Sequence, residues 1–170
     1  MKRAILLYNN QAGRGTVERS LDKIIAIFRD ADYDMQVVAI DFGGNPYKGY
    51  EDVDLVVVAG GDGTLNYAVN SMLSNGLSLT LGILPAGTAN DFAGALGMSN
   101  NILKAARQIA YGTPEPIDCG KVEQMGNPDV PAIYFVNIFS FGIFTTTSQH
   151  TPEELKHIMG RAAYMIEAFK

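Results

Sequence analysis

The chain has 170 residues, of which 47% are apolar and 18% are charged, and its net charge is −5. This length favours about one domain with a buried core, and the negative charge excludes binding to nucleic acid through general positive charge. The single cysteine, Cys119, excludes an internal disulfide framework and fits a reducing compartment, so we expect a cytoplasmic protein. Two uncharged stretches, 63–90 and 130–152, contain Pro and Asn residues, which argues against membrane-spanning helices.

Strand and helix signals alternate through the first half of the chain. Short apolar runs predict four strands, at residues 3–9, 35–40, 54–59 and 77–84. Apolar periodicity predicts helices at 16–31 with Thr16 as the cap, after residue 63, and at 101–110. The run at 54–59 is apolar on both faces, as in the middle of a parallel sheet. Strands joined by helices in this rhythm predict βαβ units and an α/β fold.

The second part of the chain is β-rich. Residues 117–122 predict a short strand, and residues 133–147 predict a strand with apolar side chains on both faces. Thr151-Pro152-Glu153-Glu154 is a capping box that opens an amphipathic helix. We therefore expect an α/β domain at 1–123 and the beginning of a second, β-rich domain at 124–170. The apolar surface of residues 132–169 predicts self-association into a homo-oligomer, in the simplest case a dimer.

The strongest local motif is Gly60-Gly61-Asp62-Gly63-Thr64, between an apolar strand and a helix. Glycines allow a tight turn and close approach of a ligand, and a helix N-terminus suits phosphate. A carboxylate at this place repels phosphate unless a metal or a set of amides intervenes, so Asp62 suggests phosphate handling with Mg²⁺. The alternative is an ordinary glycine-rich turn in which Asp62 caps a helix.

Two further polar loops follow predicted strands. One is the run 9–15 (NNQAGRG), and the other belongs to the run 81–93 (LGILPAGTANDFA). Loops at the carboxyl ends of parallel strands line the ligand crevice, so we expect all three loops at one edge of the sheet. The chain has no P-loop motif, no GxGxxG after its first strand and no GxSxG hydrolase elbow.

GGDGT, LGILPAGTANDFA and the 117–120 segment (IDCG) together resemble the diacylglycerol kinase catalytic-domain family, and more specifically the bacterial soluble lipid kinases. GGDGT alone is shared with NAD kinases and phosphofructokinases, whereas the PAGTANDFA run is specific to lipid kinases. The resemblance implies a three-layer nucleotide-binding domain with a parallel sheet, followed by a β-sandwich that binds lipid. Residues 124–170 would then be a truncated beginning of that sandwich.

The resemblance also implies site residues. ATP would contact Asn9, Asn10, Gln11, Ala12, Gly13, Gly60, Gly61, Asp62, Gly63, Thr64, Leu65, Asn66 and Thr88. Asp62 would be essential near the phosphates and Mg²⁺, and Asp91 and Asp118 would join a polar network that reaches a structural Mg²⁺. The general base belongs to the family's C-terminal domain and is expected beyond residue 170. A polypeptide of these 170 residues is therefore expected to be inactive alone.

The predicted function is ATP-dependent transfer of the γ-phosphoryl group to a lipid hydroxyl, such as that of diacylglycerol. The lipid would be reached peripherally, at the inner face of the membrane. Two alternatives stay open: a nucleotide-binding module without turnover, and an NAD kinase-like enzyme for a small molecule. The chain departs from the family pattern at Asn10, which replaces Pro, at Tyr67, which replaces Glu, and near Ile40 and Asp41, where a Thr is usual.

Overall fold

A parallel sheet of four strands lies at the centre of the compact unit formed by Met1–Val136. The computed structural model describes residues 1–10, 15–127 and 129–137. The strands are β1 (Lys2–Tyr8), β2 (Tyr33–Ala39), β3 (Leu55–Gly60) and β4 (Leu81–Pro85), in the order β2-β1-β3-β4. All their pairings are parallel, and every residue of β3 is buried. The predicted α/β fold is therefore confirmed.

Helices cover both faces of the sheet, which makes three layers. Helices α1 (Leu21–Asp30) and α4 (Ile102–Tyr111) lie on one face and pack against alternate strand residues such as Leu6 and Val57. Helix α2 (Asp62–Ser74) lies on the other face, over Leu7 and Val58. Successive side chains of a strand point to opposite faces, so each central strand supplies both cores.

A short helix, α3 (Asp91–Ala95), and an antiparallel hairpin of β5 (Gly120–Val122) and β6 (Ile133–Phe135) complete the described elements. Phe135 is paired with Gly120 and its ring lies over that glycine, where a Cβ would clash. A third apolar cluster joins α2, β4 and α3 to the hairpin. Its buried members are Leu65, Val69, Ile83, Phe92 and Ala93, with Tyr134 and Val136 packed against them.

The first helix begins later than the sequence predicts. Thr16 does not cap it: a 3-10 turn at Glu18–Ser20 comes first, and the Ser20 amide donates to the Val17 carbonyl. The predicted apolar face is correct, since Val17, Ile24 and Phe28 are all buried. Apolar spacing fits a 3-10 turn and an α-helical turn almost equally well, so periodicity alone cannot separate them.

Strand β4 is shorter than the predicted run 77–84. Helix α2 ends in a Schellman motif, in which the Leu77 amide donates to the Met72 carbonyl and the Gly76 amide donates to the Leu73 carbonyl, both at 3.0 Å. Gly76 has a φ of +68°, which suits a residue without a Cβ. Leu77 therefore still belongs to the end of the helix, and β4 begins to pair with β3 only at Leu81.

The second predicted domain lies largely outside the described residues. Met1–Val136 forms one compact unit, which includes the β5–β6 hairpin. Of the predicted strand at 133–147, the first three residues form β6, and the capping box at 151–154 is among the residues not described. The boundary near residue 123 and the self-association through 132–169 stay predictions. Among the described helices, none is both long and apolar enough to cross a membrane.

Candidate functional site

Strand β3 leads directly into helix α2 through the glycine-rich turn. Gly61 is the N-cap residue of α2, and the first helical hydrogen bond runs from the Leu65 amide to the Gly61 carbonyl at 3.0 Å. The amides of Asp62, Gly63 and Thr64 come before this first bond, so the helix itself offers them no acceptor. Together with the positive end of the helix dipole, such amides form an anion-binding position.

Each glycine of the turn has a different environment. A Cβ at Gly60 would lie 2.5 Å from the buried Thr64 side chain, and a Cβ at Gly61 would lie 3.1 Å from the Gly87 Cα. These two glycines are therefore required by packing inside the protein. Gly63 differs, because it is exposed and, apart from its own helix backbone and chain neighbours, no atom of the described residues lies within 4 Å of its Cβ position. Within the described part of the chain, the space over Gly63 is therefore open.

Asp62 connects the turn to the third predicted loop. Its carboxylate accepts hydrogen bonds from the Asp91 amide at 3.1 Å and from the Phe92 amide at 3.0 Å. These amides belong to the first turn of α3, so Asp62 caps a helix other than its own. The capping alternative is thus present in the structure. It is compatible with a ligand role, because each carboxylate oxygen can accept more than one bond.

The third loop is held by Asn90. This residue has left-handed backbone angles (φ 53°, ψ 43°), which Asn tolerates better than most residues. Its side chain accepts from the Gly87 amide at 2.8 Å and donates to the Gly87 carbonyl at 2.9 Å. Gly87 is thereby fixed against Gly61. The result is a shallow depression lined by Gly60, Gly61, Asp62, Leu65, Ile83, Asn90 and Ala93.

The other predicted site residues are distributed around this edge. The Asn9 amide donates to the Ala59 carbonyl at 3.3 Å, and Asn10, Asn66 and Thr88 are exposed. Gln11, Ala12 and Gly13 lie outside the described residues. Asp118 is exposed in the segment before β5. Within the described ranges, no group of three or more His, Cys, Asp or Glu side chains could hold a metal ion. The magnesium network of Asp91 and Asp118 stays a prediction.

Two of the departures from the family pattern meet in the structure. The Tyr67 hydroxyl lies 2.8 Å from the Asp41 carbonyl and 2.6 Å from the Gly44 carbonyl, so its one proton is shared between two acceptors. The Tyr67 ring also makes an edge-to-face contact with Phe42, with 4.9 Å between centroids. A tyrosine in place of the usual Glu therefore holds the loop that follows β2, where the usual Thr is absent.

Sequence reasoning missed one polar contact on α2. The Asn70 side chain binds both the amide and the carbonyl of Tyr134, each at 2.8 Å. Asn66 and Asn70 stand four residues apart, which places them on one helix face, and this spacing is a signal that could have drawn attention to the pair. The partner of Asn70 in β6, Tyr134, is 64 residues away in sequence, so no local pattern reveals it.

Comparisons with known proteins settle the family. Residues 3–122 match the family described as "Diacylglycerol kinase catalytic domain". The chain belongs to this family. Its kinase-type glycine turn, the Gly61–Gly87 contact and the Asp62 cap all lie within the matched residues.

Two relatives and one solved structure show how far the similarity extends. The chain is 35% identical over 176 residues to a diacylglycerol kinase of Bacillus subtilis (strain 168), covering 100% of this chain and 55% of the relative. It is 33% identical over 174 residues to one of Staphylococcus aureus (strain JH9), covering 99% and 53%. A crystal structure of a diacylglycerol kinase from Bacillus anthracis str. Sterne matches with a TM-score of 0.61 at 31% identity, covering 71% of this chain and 44% of that one. The chain thus spans about half the length of the relatives it matches.

Proposed function

We propose that this chain forms the nucleotide-binding part of an ATP-dependent lipid kinase that transfers the γ-phosphoryl group to a lipid hydroxyl, such as that of diacylglycerol. One observation supports this most strongly. In a member of this kinase family, the exposed Gly63 leaves open space at the first turn of α2, where the phosphates of a nucleotide would bind. The names of the relatives supply the acceptor class.

The residues present fit Mg²⁺ bound together with a nucleotide. Mg²⁺ in such sites is usually held by one or two carboxylates plus phosphate oxygens, so a cage of three acidic side chains is unnecessary. Asp62 would supply the carboxylate, since it stands at the start of α2 and keeps acceptor capacity beyond its two amide partners. When bound, Mg²⁺ supplies neutralisation of the phosphate charge.

In this proposal the chain contributes positioning and charge rather than covalent chemistry. The amides at the start of α2 would orient the phosphates, and the α3 cap would hold Asp62 in place. The lipid acceptor would be reached at the membrane surface, with the protein bound peripherally on its cytoplasmic side. A general base from the C-terminal domain of the family would then deprotonate the hydroxyl.

Calorimetry with purified chain tests the nucleotide site. We expect weak binding of ATP and ADP in the presence of Mg²⁺, and we expect pyrophosphate to compete because the phosphates supply the main contacts. Gly63→Val fills the open space over the turn and should weaken binding, whereas Gly94→Val, at another exposed helical glycine with an open Cβ position, serves as the matched control. Absence of nucleotide binding at millimolar concentration would refute the proposal.

Transfer is measured separately, with labelled ATP and diacylglycerol in mixed micelles. Losing a general base typically lowers a rate by about 10²–10⁴-fold. We therefore expect a polypeptide of these 170 residues to bind nucleotide but to transfer phosphate far more slowly than a full-length relative. Transfer at the rate of such a relative would show that residues 1–170 contain the complete machinery.

A further inference from the structure

Asn70 makes an unusual contact in the middle of helix α2. Its Nδ2 donates to the Tyr134 carbonyl, and its Oδ1 accepts from the Tyr134 amide, both at 2.8 Å. The amide and carbonyl of one residue in an antiparallel strand point to the same side. The Asn70 carboxamide therefore pairs with β6 as a neighbouring strand would, on the edge of β6 that faces away from β5.

The same carboxamide also contacts a predicted nucleotide residue. Asn70 Nδ2 lies 2.9 Å from the Asn66 carbonyl and 3.1 Å from Asn66 Oδ1. An amide nitrogen carries two hydrogens, so one serves Tyr134 and the other is shared between the two Asn66 oxygens. Because Oδ1 of Asn66 accepts this bond, Asn70 leaves the NH₂ group of Asn66 unoccupied, and Asn66 is an exposed residue three positions after Gly63 on α2.

We infer that Asn70 is a positioning residue that couples the nucleotide site to the β5–β6 hairpin. It fixes the side chain of Asn66 so that its amide donors face the ligand, and it is itself fixed by the backbone of Tyr134. Occupancy of the site and the order of β6 then stabilise each other. This inference rests on the proposed function, since it assigns an effect on nucleotide binding to a residue outside the predicted contacts.

Apolar packing also connects the β5–β6 hairpin to the candidate site. Tyr134 and Val136 pack against the cluster that contains Leu65, Ile83 and Ala93. The same three residues line the depression beside Asp62. Release of β6 would therefore loosen the wall of the site as well as the Asn66 side chain.

The test compares MgATP binding to the 170-residue chain and its variants by calorimetry. Asn70→Leu has a similar size and removes both hydrogen bonds to Tyr134. Asn70→Asp keeps the oxygen that accepts from the Tyr134 amide and loses the NH₂ donors. If Asn70→Leu does not fold, the binding measurement is made on Asn70→Asp. Asn75→Leu is the matched control, because Asn75 is the C-cap residue of the same helix and its side chain bonds to Asn45 and Ser71 rather than to β6.

We expect the Asn70 variants to bind MgATP about 5-fold more weakly or worse, which is the low end of usual coupling between sites. Asn75→Leu should keep the wild-type affinity, even if it lowers the thermal midpoint as much as the Asn70 variants do. Coupling is reciprocal, so MgATP should slow hydrogen exchange of the Tyr134 amide in the wild type and not in Asn70→Asp. The Asp54 amide, which donates to the Arg3 carbonyl, serves as the reference.

Three results would overturn the inference, and they are distinguishable. If the wild-type chain does not bind MgATP, the proposed function and the coupling both fail. If the wild type and the Asn70 variants bind equally well, and the Tyr134 amide does not respond to MgATP, the coupling alone fails. Binding that is weakened equally in Asn75→Leu and Asn70→Leu would also overturn it, because the effect would then be a general loss of helix stability.

Discussion

The two helical layers of this protein are held in place in different ways. On one face, α1 and α4 pack through a large apolar cluster that includes the fully buried Phe28 and Ala106. On the other face, α2 has a smaller apolar contact and a series of directional hydrogen bonds. Its tethers are the bonds from Tyr47 to Ala68, from Tyr67 to Asp41 and Gly44, from Asn45 to Asn75, and from Asn70 to Tyr134.

The difference is related to the position of the candidate site, which lies on only one of the two layers. Apolar packing is non-directional and tolerates small shifts of a helix. Hydrogen bonds lose strength quickly when their geometry changes. Helix α2 begins with the glycine turn of the candidate site, and a ligand bound by backbone amides needs that turn in a fixed place. We therefore expect changes in the α1–α4 layer to lower stability, and loss of the Asn70 tether to alter the site. The Asn45–Asn75 tether lies at the opposite end of α2 from the glycine turn, and its loss should leave the site unchanged.

The largest expected effect belongs to the apolar layer. Phe28→Ala removes a fully buried ring that also makes an edge contact with Tyr33, and we expect it to lower the free energy of unfolding by about 3–5 kcal/mol. Urea unfolding measures this, with Leu96→Ala at a half-exposed position as the control. The folded fraction should keep its nucleotide affinity. A loss below about 1 kcal/mol would contradict the expectation that changes in this layer mainly lower stability.

The next effect concerns the bond between the site and α3. Asp62→Ala leaves the amides of Asp91 and Phe92 without their acceptor, and we expect a loss of about 1–2 kcal/mol, typical of a helix cap. The same change should abolish the Mg²⁺ dependence of ATP binding, measured by calorimetry with and without Mg²⁺. Asp52→Ala removes an exposed ion pair with Arg3 and is the control. Persisting Mg²⁺ dependence in Asp62→Ala would argue for a different metal ligand.

Much of the apolar layer was predictable from sequence. The spacing of Val17, Ile24 and Phe28 indicates which face of the helix is buried, because burial of a helix follows its period. The double-faced apolar run in β3 likewise indicates a central parallel strand. These features depend on local patterns, which a single sequence displays.

The tethers of α2 were not predictable in the same way. The sequence marks Tyr67 only as a departure from the family pattern, and it gives no sign of the bonds that Tyr67 and Asn70 make in the folded protein. The Asp62 motif was evident, but its bonds to the first turn of α3 depend on how two loops meet in space. Side-chain bonds between residues 21 to 64 positions apart depend on the tertiary fold, so the residue types permit them without specifying them.

A smaller effect should appear at high pH through Tyr47. This side chain is fully buried and its hydroxyl donates to the Ala68 carbonyl at 2.9 Å. Burial, with a smaller contribution from Tyr67, raises the pKa of Tyr47 above its ordinary value. The unfolded chain therefore loses this proton first, near pH 10, and the stability that Tyr47 contributes below that pH is lost as the pH rises further.

Tyr47→Phe should remove this part of the pH dependence. Above about pH 10, we expect ionisation of Tyr47 to lower the free energy of unfolding of the wild type by up to about 1.4 kcal/mol per pH unit. The plot of this free energy against pH should be flatter for the variant. At neutral pH the variant should lose about 0.5–1.5 kcal/mol, the usual contribution of one hydrogen bond. Tyr111→Phe, at an exposed tyrosine, controls for the other phenols. Parallel curves for wild type and Tyr47→Phe would contradict the prediction.

The smallest expected effect is at Tyr67, whose hydroxyl holds the loop after β2. Tyr67→Phe keeps the ring contact with Phe42 and removes the bonds to the Asp41 and Gly44 carbonyls, so we expect a loss near 0.5 kcal/mol, at the low end for one hydrogen bond. The Gly44 amide, which donates to the Asp41 carbonyl at 3.0 Å, should exchange faster in the variant, while the Tyr134 amide should not change. Faster exchange at both amides would show that the tethers of α2 act as one unit. Faster exchange at Gly44 alone would show that each tether fixes its own part of the helix, so that the loop after β2 can move without disturbing the contact between Asn70 and β6.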